Sequence, residues 1–132
     1  MIIRLSSRDV TAGYSTPVRI NNNIVMCEYA RTEKDRQNGL QGIRFMPHNQ
    51  GMLFDTFGRY RPIFHMRNVF IPLEAVFIST VNKIVEVVPM MPLDASRVYT
   101  THKNIPIKWV LELNQGYCNS HGIKTEDLVY LD

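Results

Sequence analysis

The most sustained apolar pattern in the chain lies at residues 62–78, PIFHMRNVFIPLEAVFI, where Ile, Val and Phe recur and Arg67, Asn68 and Glu74 interrupt them. Such a composition suits a pleated, buried surface. Pro72 has no ladder donor, so the pattern predicts one strand over 64–69, a bend, and a second strand over 73–79. A turn near 80–83 followed by IVEVV at 84–88 predicts a hairpin partner for that second strand. Over 107–113, alternation places Trp109, Leu111 and Leu113 on one face, and Lys108, Val110 and Glu112 on the other.

The flanking segments repeat this short-strand rhythm. Residues 1–16 hold one brief apolar run and read as an arm or an edge strand. Strands over 17–20 and 24–30 are joined by Asn21-Asn22-Asn23, because asparagine tolerates the left-handed backbone of a tight turn. Ile24, Met26, Glu28 and Ala30 then share a face opposite Val25, Cys27 and Tyr29. Thr32 three residues before Asp35 is a capping-box pattern and predicts a helix over 32–38 ending at Gly39. A loop over 41–50, a strand entry over 51–54 and a polar turn over 55–61 around Gly58 precede the central stretch. Residues 89–106 read as a long irregular loop, 114–122 as a helix capped by Asn114 and stopped at Gly122, and 128–131 as a closing strand. Many short strands with two small helices predict a mainly β fold. The expectation is a compact β-sandwich or barrel of short, mostly antiparallel strands, forming a single domain over 17–132 after the N-terminal segment.

Composition narrows the class but not the function. A chain of 132 residues with 45% hydrophobic and 20% charged residues is one globular domain that needs no staple. Its formal charge of +3 arises from 15 basic and 12 acidic residues scattered along the chain, so a small anionic ligand suits the balance and nucleic acid is not expected. Cys27 and Cys118 lie too far apart for a CxxC motif and read as separate buried thiols. Arg4, Arg8 and Asp9 break the apolar N-terminus, and no run approaches the ~20 residues that span a bilayer, so a soluble, cytoplasmic protein without a membrane partner is expected.

The segments RQNGL (36–40), GMLF (51–54), FHMRNVFIPLEAVFI (64–78), VLELNQG (110–116) and GIKTED (122–127) together resemble the domain-of-unknown-function 192 family, in the family's order and over residues 18–130. GMLF followed by a methionine, a basic residue, an asparagine and then IPL plus an acid is the specific combination. The resemblance implies a compact β-rich fold with short helices and no established activity. His65 stands where the family usually has Trp, Arg67 for Lys, Val69 for Thr and Glu74 for Asp. The basic, amide and acidic roles survive these changes.

The candidate binding residues are His65, Arg67, Asn68, Glu74 and Glu112. Charges inside so apolar a stretch are costly unless they are paired or serve a site. In the functional reading, Arg67 holds a carboxylate or phosphate as a fork while Asn68 and Glu74 orient the ligand. In the structural reading, Arg67 is clamped to Glu74 or Glu112 and Asn68 bonds a loop. His48, His65, His102 and His121 have no ligand spacing, and neither a metal nor a cofactor is expected. No nucleophile elbow or glycine-rich phosphate loop is present. Arg59-Tyr60-Arg61 reads as a solvated turn, although this trio also suits stacking and charge neutralisation. The leading reading is therefore a non-enzymatic binding or accessory domain, with a polar recess partly covered by the 89–106 loop. Met90 and Met91 in that loop either offer a contact for a protein partner or lid the end of the core. The competing readings are a hydrolase or transferase acting on a sugar-like or anionic substrate through Glu74 or Glu112, and a structural subunit of a larger assembly.

Overall fold

The computed structural model describes residues 14–131. The expected N-terminal segment lies outside them up to residue 13, and its last three residues open strand β1. The elements in order are β1 (Tyr14–Ile20), β2 (Asn23–Ala30), α1 (Glu33–Asn38), β3 (Gln50–Tyr60), β4 (Leu73–Ser79), β5 (Ile84–Met90), β6 (Pro106–Asn114), α2 (Tyr117–Ser120) and β7 (Val129–Leu131). One curled, half-barrel sheet holds all seven described strands in the order β5-β4-β6-β3-β2-β1-β7. Every neighbouring pair is antiparallel except β2 and β3, which run parallel.

That parallel pair needs a crossover, and α1 supplies it. The Thr32 hydroxyl accepts from the Asp35 N–H at 3.0 Å, and the Asp35 carboxylate accepts from the Thr32 N–H, so the predicted capping box is formed. Gly39 ends the helix at φ 51°. Helices long enough for repeated crossovers are lacking in the sequence, and this single βαβ unit uses a six-residue helix instead.

Both faces of the sheet are covered. Phe54, Ala75, Phe77 and Val110 point into one apolar cluster with Leu40, Ile43 and Met66. Val25, Leu53, Val76, Leu111 and Leu113 point into the other with Tyr117 and Ile123. Burial on both sides explains why β4, LEAVFIS, is buried at every position. The face assignments predicted for β2 and β6 match these clusters. Gly51 lets β3 and β6 approach: a Cβ there would meet the Glu112 carbonyl oxygen at 2.6 Å and Leu113 Cδ2 at 2.8 Å.

Three local expectations are corrected. The strand predicted over 64–69 is reduced to a single bridge between Phe64 and Tyr99, and residues 65–71 turn instead, with Asn68 at φ 59°. The polar turn predicted over 55–61 is a bulge within β3: Asp55 pairs with Trp109 and Arg59 with Ile107, so three residues oppose one. Phe57 and Gly58 carry it at φ 57° and 76°. The Asp55 carboxylate fixes the bulge by accepting from the Phe57 N–H at 2.9 Å and from Lys108 Nζ at 3.0 Å. Finally, Asn114 ends β6, and its amide donates to the Met46 carbonyl at 2.8 Å rather than capping α2.

An arginine-lined cleft with a buried glutamate

The bulge matters because a cleft of about 790 Å³ opens between it, α1 and residues 61–69. Its apolar lining comes from Leu40, Phe54 and Val69, and its cations are Arg36, Arg59, Arg61 and Arg67. Glu112 also lines it, on the β6 face that carries Val110, and its side chain is buried.

These charges are unevenly satisfied. Arg36 pairs with Glu33 at 3.0 Å, which holds the Glu33 carboxyl below its ordinary range. Arg61 donates from Nε to the Thr101 carbonyl at 3.2 Å. Asp55, which also lines the cleft, is engaged by Lys108. Arg59 lies 5.7 Å from the centroid of the Phe57 ring and acts on Glu33 through its charge alone, and Arg67 is exposed. Among the described residues neither guanidinium has a hydrogen bond or an ion pair. Burial pushes the Glu112 carboxyl up to about 8, so it is protonated at neutral pH and offers an O–H donor. His65 is half-buried, and desolvation, with Arg67 beside it, lowers its pKa. Its Nδ1 accepts from the Arg67 backbone N–H at 3.3 Å.

Of the residues singled out from sequence, His65, Arg67 and Glu112 meet at this cleft, whereas Asn68 and Glu74 do not line it. Asn68 shapes the neighbouring turn: its carbonyl accepts from the Gly42 N–H at 2.8 Å, and its amide donates to Gln41 Oε1 at 3.3 Å. Glu74 lies on the opposite face of the sheet, where its two oxygens accept from the backbone N–H groups of Gly116 and Cys118 at 2.9 and 2.8 Å. It does for α2 what an N-cap side chain does. The alternative clamp from Arg67 to Glu74 or Glu112 is not formed. Nor does the 89–106 loop cover the cleft. It braces the 61–64 wall, through the Phe64–Tyr99 bridge and a bond from Thr100 Oγ1 to the Pro62 carbonyl at 2.7 Å. Arg36, Arg59 and Arg61 also line the cleft; the RYR triplet carries a signal in the sequence, but its place beside the β3 bulge depends on the pairing of β3 with β6.

Cys27 and Cys118 are buried free thiols, and desolvation raises both, Cys27 to about 12. No cluster of three or more metal-binding side chains occurs among the described residues, and no described helix is long and apolar enough to cross a membrane.

The chain matches no curated protein. Two solved structures share its fold. One is a protein of unknown function from Novosphingobium aromaticivorans, at 27% identity and a TM-score of 0.79 over 86% of this chain and 83% of that one. The other, from Sinorhizobium meliloti, is provisionally described as a transcription regulator and has 27% identity and a TM-score of 0.78 over 88% and 92%. The family model described as an uncharacterized ACR matches residues 16–131, which takes in every strand and both helices described above except the first two residues of β1. With fold, motif order and family model in agreement over almost the whole described chain, this protein belongs to the domain-of-unknown-function 192 family.

Proposed function

We propose that the domain binds a small anionic ligand in the arginine-lined cleft, with Arg59 and Arg67 holding its negative group and neutral Glu112 donating to an uncharged oxygen or nitrogen of the same molecule. The observation that carries this reading is two guanidiniums with no hydrogen bond or ion pair among the described residues, at a cleft lined by the buried Glu112, whose carboxyl desolvation raises. Guanidinium forks bind carboxylate and phosphate in two-pronged geometry, and a neutral carboxyl discriminates by needing an acceptor. A panel of sugar acids and small phosphates, screened by thermal shift, tests it. At least one compound raises Tm in the wild type and fails to do so in Arg67→Ala. A panel with no effect on the wild type overturns the reading.

The raised carboxyl also favours a second reading, in which Glu112 is a general acid in a hydrolase or transferase. Glu74 has no part in it, since it faces the other side of the sheet. An activity screen in which Glu112→Gln behaves like the wild type excludes that role.

A further inference from the structure

We infer that the ligand of the cleft is a nucleoside phosphate, free or within a strand, with its base laid on the Tyr60 ring and its phosphate held by Arg59 and Arg67. This rests on the anion-binding reading above and specifies the molecule's other half.

Tyr60 lines the cleft, is 60% exposed, and its side chain has no hydrogen bond or ring contact among the described residues. Its ring follows Arg59 and precedes Arg61 in the chain, and all three line the cleft. It is a suitable platform for a flat, polarisable partner. Phe57 and Arg61 bracket the segment at φ 57° and 50°, and neither is a residue type that favours the left-handed region. The consequence at Phe57 is a second outward ring, 56% exposed, with Arg36, Arg59 and Lys108 placed 5.2, 5.7 and 5.8 Å from its centroid.

An exposed aromatic among the cations that line the cleft is more than an anion requires. A sugar acid or inorganic phosphate would be held by the arginines alone, and the Tyr60 ring would remain bare. A base uses both, by stacking on an aromatic face while its phosphate reaches the guanidiniums. Asn38, which lines the same cleft, carries a donor and an acceptor suited to a base edge. The cleft, at about 790 Å³, is within the range of small-molecule sites.

The test uses the full chain and calorimetric titration with purine and pyrimidine nucleoside monophosphates, ribose 5-phosphate, and short single-stranded oligonucleotides. At least one nucleotide binds about ten-fold or more tightly than ribose 5-phosphate, the scale of one base–aromatic stack. Tyr60→Ala removes that difference, Tyr60→Phe keeps it, and Arg67→Ala weakens nucleotide and ribose phosphate alike. Circular dichroism confirms that each variant is folded. Preference for the oligonucleotide identifies a strand as the source of the same chemistry, and preference for the mononucleotide identifies a free ligand. If ribose 5-phosphate binds as well as every nucleotide, or Tyr60→Ala changes nothing, the nucleotide inference is wrong while the anion cleft stands. If no phosphate and no sugar acid binds at all, both fall together.

Discussion

Glu74 and Glu112 lie on hydrogen-bonded neighbouring strands, one residue out of register, and face opposite sides of the sheet. Glu74 pairs with Leu113 and Ala75 with Glu112, so the pleat separates two carboxyls that the sequence presents as equivalents. One is satisfied by two backbone N–H groups, and the other is buried beside the cleft with no partner among the described residues. Their mutational signatures therefore differ in sign.

Removing the Glu74 carboxylate strands the Gly116 and Cys118 N–H groups at the start of α2. Glu74→Ala is expected to lower stability by about 2–4 kcal/mol, the scale of two lost charge-assisted bonds with donors left unpaired. Urea unfolding checks this, and ligand-induced stabilisation measured at equal distance from Tm remains intact because the cleft is on the other face. A Glu74→Ala protein that is as stable as wild type would show that water caps α2 equally well.

For Glu112 the sign follows from linkage. Its native pKa is raised from 4.5 to about 8, so across that interval the native state keeps a proton that the unfolded chain has lost. Its contribution to stability therefore declines as pH rises from about 4.5 and levels off above about 8. The full span integrates to at most about 5 kcal/mol. Glu112→Gln, neutral at every pH, is expected to be nearly silent at pH 4 and stabilising by a few kcal/mol at pH 9. Urea titrations of both proteins across this range measure the difference directly. Parallel curves at all pH values would mean that Glu112 titrates normally.

Gly51 is the third test because its role is steric. A Cβ at 2.6 Å from the Glu112 carbonyl meets backbone, which cannot swing away as a flexible side chain can. Gly51→Ala is expected to force β3 from β6 and to cost at least about 2 kcal/mol, the upper part of the ordinary overpacking range. Denaturant unfolding reads the loss, and a Gly51→Ala protein as stable as the wild type would show that β3 and β6 separate there at no cost.

Much of this architecture was legible because burial on a sheet face follows alternation. KWVLEL assigned Leu111 and Leu113 to one core and Val110 and Glu112 to the other, as found. The capping box at Thr32 was equally local and equally readable. The failures were non-local. Strand propensity over 64–69 was strong, yet that segment pairs only at Phe64 because Asn68 and Val69 anchor turns to Gly42 and Leu93 instead. The sequence marked Arg67 and Glu112 as chemically interesting, and the fold brings both to one cleft. It could not show that Glu74 faces away, because that depends on the register between β4 and β6. Arg59, Tyr60 and Arg61 looked like a solvated turn because a bulge and a turn share the same Gly58 signal.

The two thiols give a prediction of accessibility. Cys27 and Cys118 are both buried, and burial raises the Cys27 thiol to about 12. The thiolate is the reactive form, so native protein at pH 8 should react with a disulfide reagent at least about a hundred-fold more slowly than a free cysteine. Both thiols should react promptly in urea. Rapid labelling of the native protein at either position would show that the second core opens locally.

The helix α1 gives the last prediction, one that links stability to the site. None of its residues is buried, so burial adds little to it and its cap weighs heavily in its stability. Thr32→Ala removes the acceptor that binds the Asp35 N–H. A cap of this type contributes about 1 kcal/mol, small against the whole fold but large for a six-residue helix. The expected outcome is a local one, with faster amide exchange across 33–38 and a global stability change of about 1 kcal/mol or less. Because Glu33, Arg36 and Gln37 form one wall of the cleft, the same variant should weaken ligand binding without touching Arg59 or Arg67. Amide exchange followed by NMR, with titration of the ligand found in the screen, separates the two effects. Unchanged affinity alongside a frayed α1 would assign the recognition to the β3 bulge and the 61–69 wall alone.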